Sequence, residues 1–165
     1  MSSKRNPGDE PGTPFVEVVI EIPKWSFLKY GSTGKIDFIS PFPCPVNYGS
    51  VPEYLGLEGD LLDAVVLGTR LARGTRLRVP AWGAVTLADR GLFDDKLICS
   101  LQPVTAAQRA AVLRFFDVYA RCKALLNLSR GRRGRNACDG WLDARQALDR
   151  ARPRDNGWRG SPVDF

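Results

Sequence analysis

The sequence predicts an α+β domain, a small β-barrel followed by two helices packed outside it. Three observations carry that prediction. Up to about residue 100 the chain is a series of short runs rich in Val and Ile, punctuated by Gly and Pro at short intervals, the pattern of a small barrel or sandwich. Near Thr105 the apolar spacing changes to that of a helix. The whole chain has 165 residues, a usual size for one domain with a real core.

The elements follow in order. Residues 1–14, "MSSKRNPGDEPGTP", are polar and rich in Pro and Gly, and they are expected to form a flexible leader. "FVEVVIEIP" (residues 15–23) alternates Glu with apolar residues as a half-buried strand does. "GKIDFIS" is a second short strand and "DAVVLG" a buried one. "GTRLRVPAWGAVTLADRG" holds two strand-like runs around Pro80, and "DDKLICSL" is the last strand. "TAAQRAAVLRFFDVYARCKALLNL" is a helix with Thr105 as its N-cap and Val112, Leu113, Phe116, Tyr119 and Ala120 at helical spacing. An Arg/Gly loop, "SRGRRGRN", leads to a second helix that starts near Asp139 and stops before Pro153. The folded domain is thus expected over residues 15–152, with an irregular tail at 153–165.

Composition narrows the chemistry. There is no His, which excludes Ser-His and Cys-His catalysis and His-ligated metals. Cys44, Cys99, Cys122 and Cys138 are scattered with no C-x-x-C pair, so they are expected to be buried free thiols rather than a zinc site. No apolar run approaches the length of a membrane span, and no signal-peptide core opens the chain, so a cytoplasmic protein is expected. The net charge of +6 suits an anionic ligand without identifying it. Enzyme chemistry here must run on carboxylates, Lys, Arg, Tyr and metal.

Carboxylates crowd at two places. "EGDLLD" sets Glu58, Asp60 and Asp63 against a buried strand, and "ADRGLFDDK" sets Asp89, Asp94 and Asp95 at a turn between strands. Like charges this close repel unless water or a cation neutralises them. They are either solvated hairpin turns, where Asp and Gly are common, or the two halves of one Mg²⁺ site, since hard cations take carboxylate oxygens. In the second case Lys29, Tyr30 and Lys96 stand near enough in sequence to hold a phosphate. Asp63→Asn is then expected to weaken metal binding and to stabilise the cation-free protein by relieving repulsion.

From about residue 15 to 150 the chain resembles the soluble family I inorganic pyrophosphatases. The motifs that carry the resemblance are "VEVVIEIPK", the Lys29-Tyr30 pair, "PVNYG" at 45–49, "EGDLLDAVVLG" against the family's D-G-D-P-x-D-x-x-V, "DRGLFDDKL" against D-x-G-x-x-D-x-K, "LRFFDVY" and "DGWLDARQAL". The resemblance implies a five-stranded OB-like barrel and hydrolysis of diphosphate to two phosphates with several Mg²⁺ ions, Mn²⁺ or another divalent ion being an alternative. It implies metal-site roles for Asp60, Asp63, Asp89 and Asp94, with Asp60 the candidate general base, Glu58 in place of the family's first Asp, and Glu21 as an outer-sphere acid. Lys29, Lys96 and Tyr119 match phosphate-binding positions, and Tyr48 matches the tyrosine near the metals. It also implies a homo-oligomer, a hexamer in bacterial relatives of this length.

The match has gaps. The segment "GSTGKIDFISPFPCPV" is shortened and lacks the family's phosphate-binding Arg, and Cys44 stands where a Tyr is usual. The family's Tyr-Lys pair on the long helix reads Tyr119-Ala120. Lys35, Arg121 or Lys123 are the nearby cations, although Arg121 faces elsewhere on the helix. Each charge-assisted hydrogen bond to phosphate that is missing weakens binding by about 1.5–3 kcal/mol. An alternative is therefore a divergent paralogue with lapsed catalysis or with an organic diphosphate as substrate, beside an apolar wall of Phe38, Pro41, Phe42, Pro43 and Pro45. An alternative of another class is an OB-like barrel that binds anions or nucleic acid. The lack of exposed aromatics beside Lys or Arg on the strands speaks against nucleic acid as a partner. The cluster from Arg130 to Arg135 lies outside the barrel and is expected to be a solvated loop.

Overall fold

The computed structural model describes residues 12–30, 36–39, 43–57, 59–132 and 134–157. Nine strands and two helices follow in the order β1 (Phe15–Ile22), β2 (Leu28–Tyr30), β3 (Ile36–Ile39), β4 (Asn47–Leu55), β5 (Leu61–Val66), β6 (Arg76–Asp89), β7 (Leu92–Cys99), α1 (Ala106–Ser129), β8 (Ala137–Leu142), α2 (Ala144–Arg150) and β9 (Arg152–Pro153) among these residues. Strands β1, β4, β5, β7 and β6 pair in that order, and β6 pairs back onto β1, so five strands close into a ring. All pairs in the ring are antiparallel except β5 with β7, which run parallel. β8 extends the sheet beside β6, β9 pairs with β4, and β2–β3 form a separate hairpin.

Strand alternation divides the ring into two faces. The inward set, with Val16, Val18, Ile20, Val51, Leu62, Ala64, Val66, Val79, Leu97 and Cys99, packs as one buried cluster that also takes Ala144 and Ala147 of α2. The outward residues Val65, Val85, Leu87 and Ile98 form a second cluster, closed by Val112 and Phe116 of α1. The long helix is fixed at its start by a capping box. The Thr105 side chain accepts from the Gln108 N–H, and the Gln108 side chain accepts from the Thr105 N–H, an arrangement of about 1 kcal/mol.

Several boundaries differ from the sequence expectation. β4 is a full strand in the ring, although Gly49 and Pro52 break its pattern. A Cβ at Gly49 would stand 2.0 Å from the Val19 carbonyl oxygen, so the glycine is what lets β4 lie against β1. The two runs around Pro80 are one strand, β6, with a register shift between Ala81 and Gly83. Its first half pairs with β1 and its second with β8. Residues 137–142 are strand, not the start of the second helix. α2 begins at Ala144, where Asp143 is the N-cap and accepts from Arg145 N and Gln146 N. The expected tail boundary at 153 falls inside β9. Only Cys99 of the four thiols is buried, whereas Cys122 is exposed. Burial pushes the Cys99 thiol up to about 12, which leaves it unreactive at neutral pH.

Asn47 pins the loops around the fourth strand. Its Oδ1 accepts from Lys24 N at 3.0 Å and Leu71 N at 2.9 Å, and its Nδ2 donates to the carbonyls of Val66 and Thr69. A fully buried amide with all these bonds made rigidifies its surroundings. It sets the position of its neighbour Tyr48. No helix among the described residues is long and apolar enough to cross a membrane.

Candidate active site

Tyr48, Asp63, Asp94 and Lys96, four of the residues predicted as a site, lie on the outward face of the ring, continuous with the apolar patch beneath α1. Parallel pairing sets Asp63 of β5 opposite Lys96 of β7, and Asp94 lies two residues from Lys96 on the same face. Lys96 is only 5% exposed. Its ammonium donates to Asp63 Oδ2 and, at 2.6 Å, to Asp94 Oδ1. Burial works against the charged ammonium, but Asp63 and Asp94 outweigh it and raise its pKa well above the ordinary value. Tyr48 of β4 completes this group, its ring centroid 5.9 Å from the Lys96 Nζ. Burial, then the charge of Asp63, raises the Tyr48 pKa well above the usual value. The phenol stays protonated and can only donate or accept a hydrogen bond, not act as a base.

A second group adjoins the first. Asp89 ends β6, and its Oδ2 accepts from Lys123 of α1. Asp89 Oδ1 is buried without a hydrogen-bond partner, with Arg90 Nε 3.9 Å away. Tyr119 lies one helical turn before Lys123, on the same face, within electrostatic reach of Tyr48, Lys96 and Lys123. Asp89, Asp94, Tyr119, Lys123 and Asn136 share one small cavity with Leu87. Arg121 points away, paired with Asp117 at 3.0 Å on the exposed side of the helix.

Glu21, on β1, accepts from Ser50 Oγ at 2.8 Å, and Ser50 sits opposite Asp63 on β4. Asp60 is exposed at the turn before β5. Lys29 contributes its backbone to β2, but its side chain, like Glu58 and the apolar wall residues Phe38, Pro41 and Phe42, lies outside what the structure describes. Lys35 lies outside it as well. Among the described residues no three acidic side chains converge on one point. Instead two ammonium groups stand between the carboxylates. The expected gain from Asp63→Asn in the cation-free protein therefore does not hold, because Asp63 is ion-paired with Lys96 rather than repelled by its neighbours.

The donors nevertheless suit a hard cation. Asp63 and Asp94 already converge on one positive charge, Asp89 Oδ1 has an acceptor site left over, and all three supply oxygen. Acids for a cation, ammonium groups for an anion and a neutral phenol, gathered on the outside of the ring, are the groups that a metal-assisted phosphate-handling protein needs. The family model for inorganic pyrophosphatase matches residues 18–147. The chain is 33% identical over 123 residues to an inorganic pyrophosphatase of Streptomyces coelicolor, covering 62% of this chain and 76% of that one. It is 39% identical over 132 residues to a soluble inorganic pyrophosphatase of Oryza sativa, 67% of this chain and 62% of the relative. It therefore spans less than two thirds of the rice protein. The crystal structure of the Thermus thermophilus inorganic pyrophosphatase superposes with a TM-score of 0.67 at 27% identity, over 87% of this chain and 90% of that one. The Coxiella burnetii inorganic pyrophosphatase gives 0.66 at 25%, over 84% and 92%. The chain belongs to the inorganic pyrophosphatase family, of the soluble family I type. The family's substrate is diphosphate, and its members depend on divalent metal ions.

Lys123 is the residue that the sequence left undecided. The signal was present in its spacing, four residues after Tyr119 and so on the same helical face.

Proposed function

We propose that this chain hydrolyses inorganic diphosphate to two phosphates with several divalent cations, Mg²⁺ in first place and Mn²⁺ as the alternative. The observation that supports this most is the convergence of Asp63, Asp94, Lys96 and Tyr48 next to Asp89 and Tyr119 in a chain of this family. Asp63, Asp89 and Asp94 hold cations, and Glu21 steadies the surroundings through Ser50. Bound cations supply Lewis acidity and lower the pKa of a coordinated water. Asp60, at the rim of β5, takes the proton from the attacking water. Lys96, released from its aspartates, neutralises charge on the phosphate that departs. Tyr48, kept protonated, donates a hydrogen bond to the anion. Lys29 and Glu58 keep the phosphate and metal roles that the resemblance gives them. The working unit is residues 15–152, acting in the cytoplasm.

The same reading includes a homo-oligomer, a hexamer by resemblance. Val118, Leu125 and Leu128 leave large apolar side chains exposed along α1, a stripe that suits a second copy. Sedimentation of the parent against Leu125→Glu checks it, with a lower-order species expected for the variant.

Phosphate release from diphosphate is expected with Mg²⁺ and is abolished by EDTA. Asp63→Asn should lower activity and shrink the Mg²⁺-induced shift in melting temperature, since only the ligand-binding state is stabilised by mass action. A parent protein that releases no phosphate with Mg²⁺, Mn²⁺, Co²⁺ or Zn²⁺ overturns the proposal.

A further inference from the structure

We infer that Lys123 is a phosphate ligand of the active site, parked on Asp89 until a cation takes its place. This rests on the proposed function and deepens it. The first support is position. α1 buries Val112, Phe116 and Ala120 against the sheet, Ala120 to 4% exposure. Ala120 lines the same cavity as Asp89 and Asp94 but brings no charge to it. Tyr119 and Lys123 flank Ala120 on the helix surface and reach the cavity that Asp89 and Asp94 line.

The second support is the state of the partners. Lys96 is buried and held by two carboxylates. Arg121 is 77% exposed on the opposite side. Lys123 has its side chain 31% exposed and is held by Asp89, so rotation about its flexible four-carbon stem can carry the ammonium to an anion. Asp89 holds a buried oxygen without a hydrogen-bond partner, and it can accept a divalent cation while giving up the lysine.

The third support is charge. Asp63, Asp89 and Asp94 face Lys96 and Lys123. With two ammonium groups as counterions, a free cation that takes the oxygens they hold competes with a lysine. A free anion must draw a lysine from an aspartate. A cation and an anion arriving together satisfy both sets at once. A metal–diphosphate pair therefore suits the site, and Lys123 is the half of this exchange nearer to solvent.

The test uses the full chain and the variants Lys123→Gln, Lys123→Arg and Arg121→Gln. Mn²⁺ alone is titrated by calorimetry, then imidodiphosphate, a diphosphate that resists hydrolysis, in the presence of Mn²⁺. Lys123→Gln should bind Mn²⁺ alone several-fold more tightly and imidodiphosphate about 10- to 100-fold more weakly, the range of one charge-assisted hydrogen bond. Lys123→Arg should restore most of the anion affinity, and Arg121→Gln should match the parent. A lysine that merely tied α1 to Asp89 would give no such opposed changes. Unchanged imidodiphosphate binding in Lys123→Gln overturns the inference. Because these are binding measurements, they decide the role of Lys123 even if diphosphate hydrolysis is not observed, which would count against the proposed function alone.

Discussion

Asp94 and Asp95 are adjacent in sequence and point to opposite faces of β7, where they meet two different kinds of ion pair. On the outward face Asp94 and Asp63 share the Lys96 ammonium, with both contacts hydrogen-bonded. On the other face Asp95 meets Arg150 of α2 at 3.6 Å, and neither Asp95 Oδ1 nor Arg150 Nη1 has a hydrogen-bond partner. Arg150 lies over the Phe93 ring at 4.7 Å. Burial raises the Asp95 pKa, opposed by a hydrogen bond from Thr86 and by the charge of Arg150. The difference separates a pair shaped for exchange from a pair shaped by packing. Under the proposed function, Lys96 is the cation that an incoming metal ion replaces. Arg150 belongs to the join between α2 and the ring and has nothing to exchange with.

Removing one partner from each pair breaks the comparison open. The largest effect is expected for Lys96→Met, which strands two mostly buried carboxylates. In EDTA it should cost roughly 3–5 kcal/mol of stability, the scale of a buried pair broken on one side. Mg²⁺ should restore much of that stability, and thermal melts with and without the ion read both numbers. Arg150→Met leaves Asp95 with its Thr86 hydrogen bond but no facing cation and should cost about 2–3 kcal/mol, with Mg²⁺ giving no recovery beyond the shift seen in the parent. The double variant Asp95→Leu with Arg150→Met should come within about 1 kcal/mol of the parent, because replacing both members of an unsatisfied pair by apolar groups is nearly neutral. Recovery of Arg150→Met by Mg²⁺ would erase the distinction between the two pairs.

What could be read from residues alone follows the same division. β1 alternates cleanly, β5 and β7 end in short apolar runs, and Thr105 announces α1 by its own side-chain chemistry. β4 stayed hidden because Gly49 and Pro52 weaken its pattern, and the need for that glycine comes from β1, which lies far off in sequence. "DGWL" resembled a helix start because Asp139 is a good cap, but Asp143 is the cap used and Trp141 lies in β8. The spacing of Asp60 and Asp63 and of Asp89 and Asp94 pointed to the acids. It could not show that Lys96 is wedged between Asp63 and Asp94, since that contact joins residues 33 apart through a parallel register set by the whole ring. For the same reason "EGDLLD" could not show that its last carboxylate, Asp63, is paired with a lysine.

The turn between β6 and β7 has a consequence in time. Asp89 pairs with Leu92, so Arg90 and Gly91 alone make the turn, both with positive φ, 51° and 86°. A two-residue turn of this hand matches strand twist and closes with little loop entropy. The hairpin therefore brings Asp89 and Asp94 together early in folding, before β5 can add Asp63 by a long-range parallel pairing. Gly91→Ala strains the turn and should slow refolding more than it speeds unfolding, whereas Ala64→Gly in β5 should mainly speed unfolding. Stopped-flow chevrons of the two variants check that order, and equal effects on the folding arm would remove it. Half of the cation site would then exist in the chain before the ring has closed.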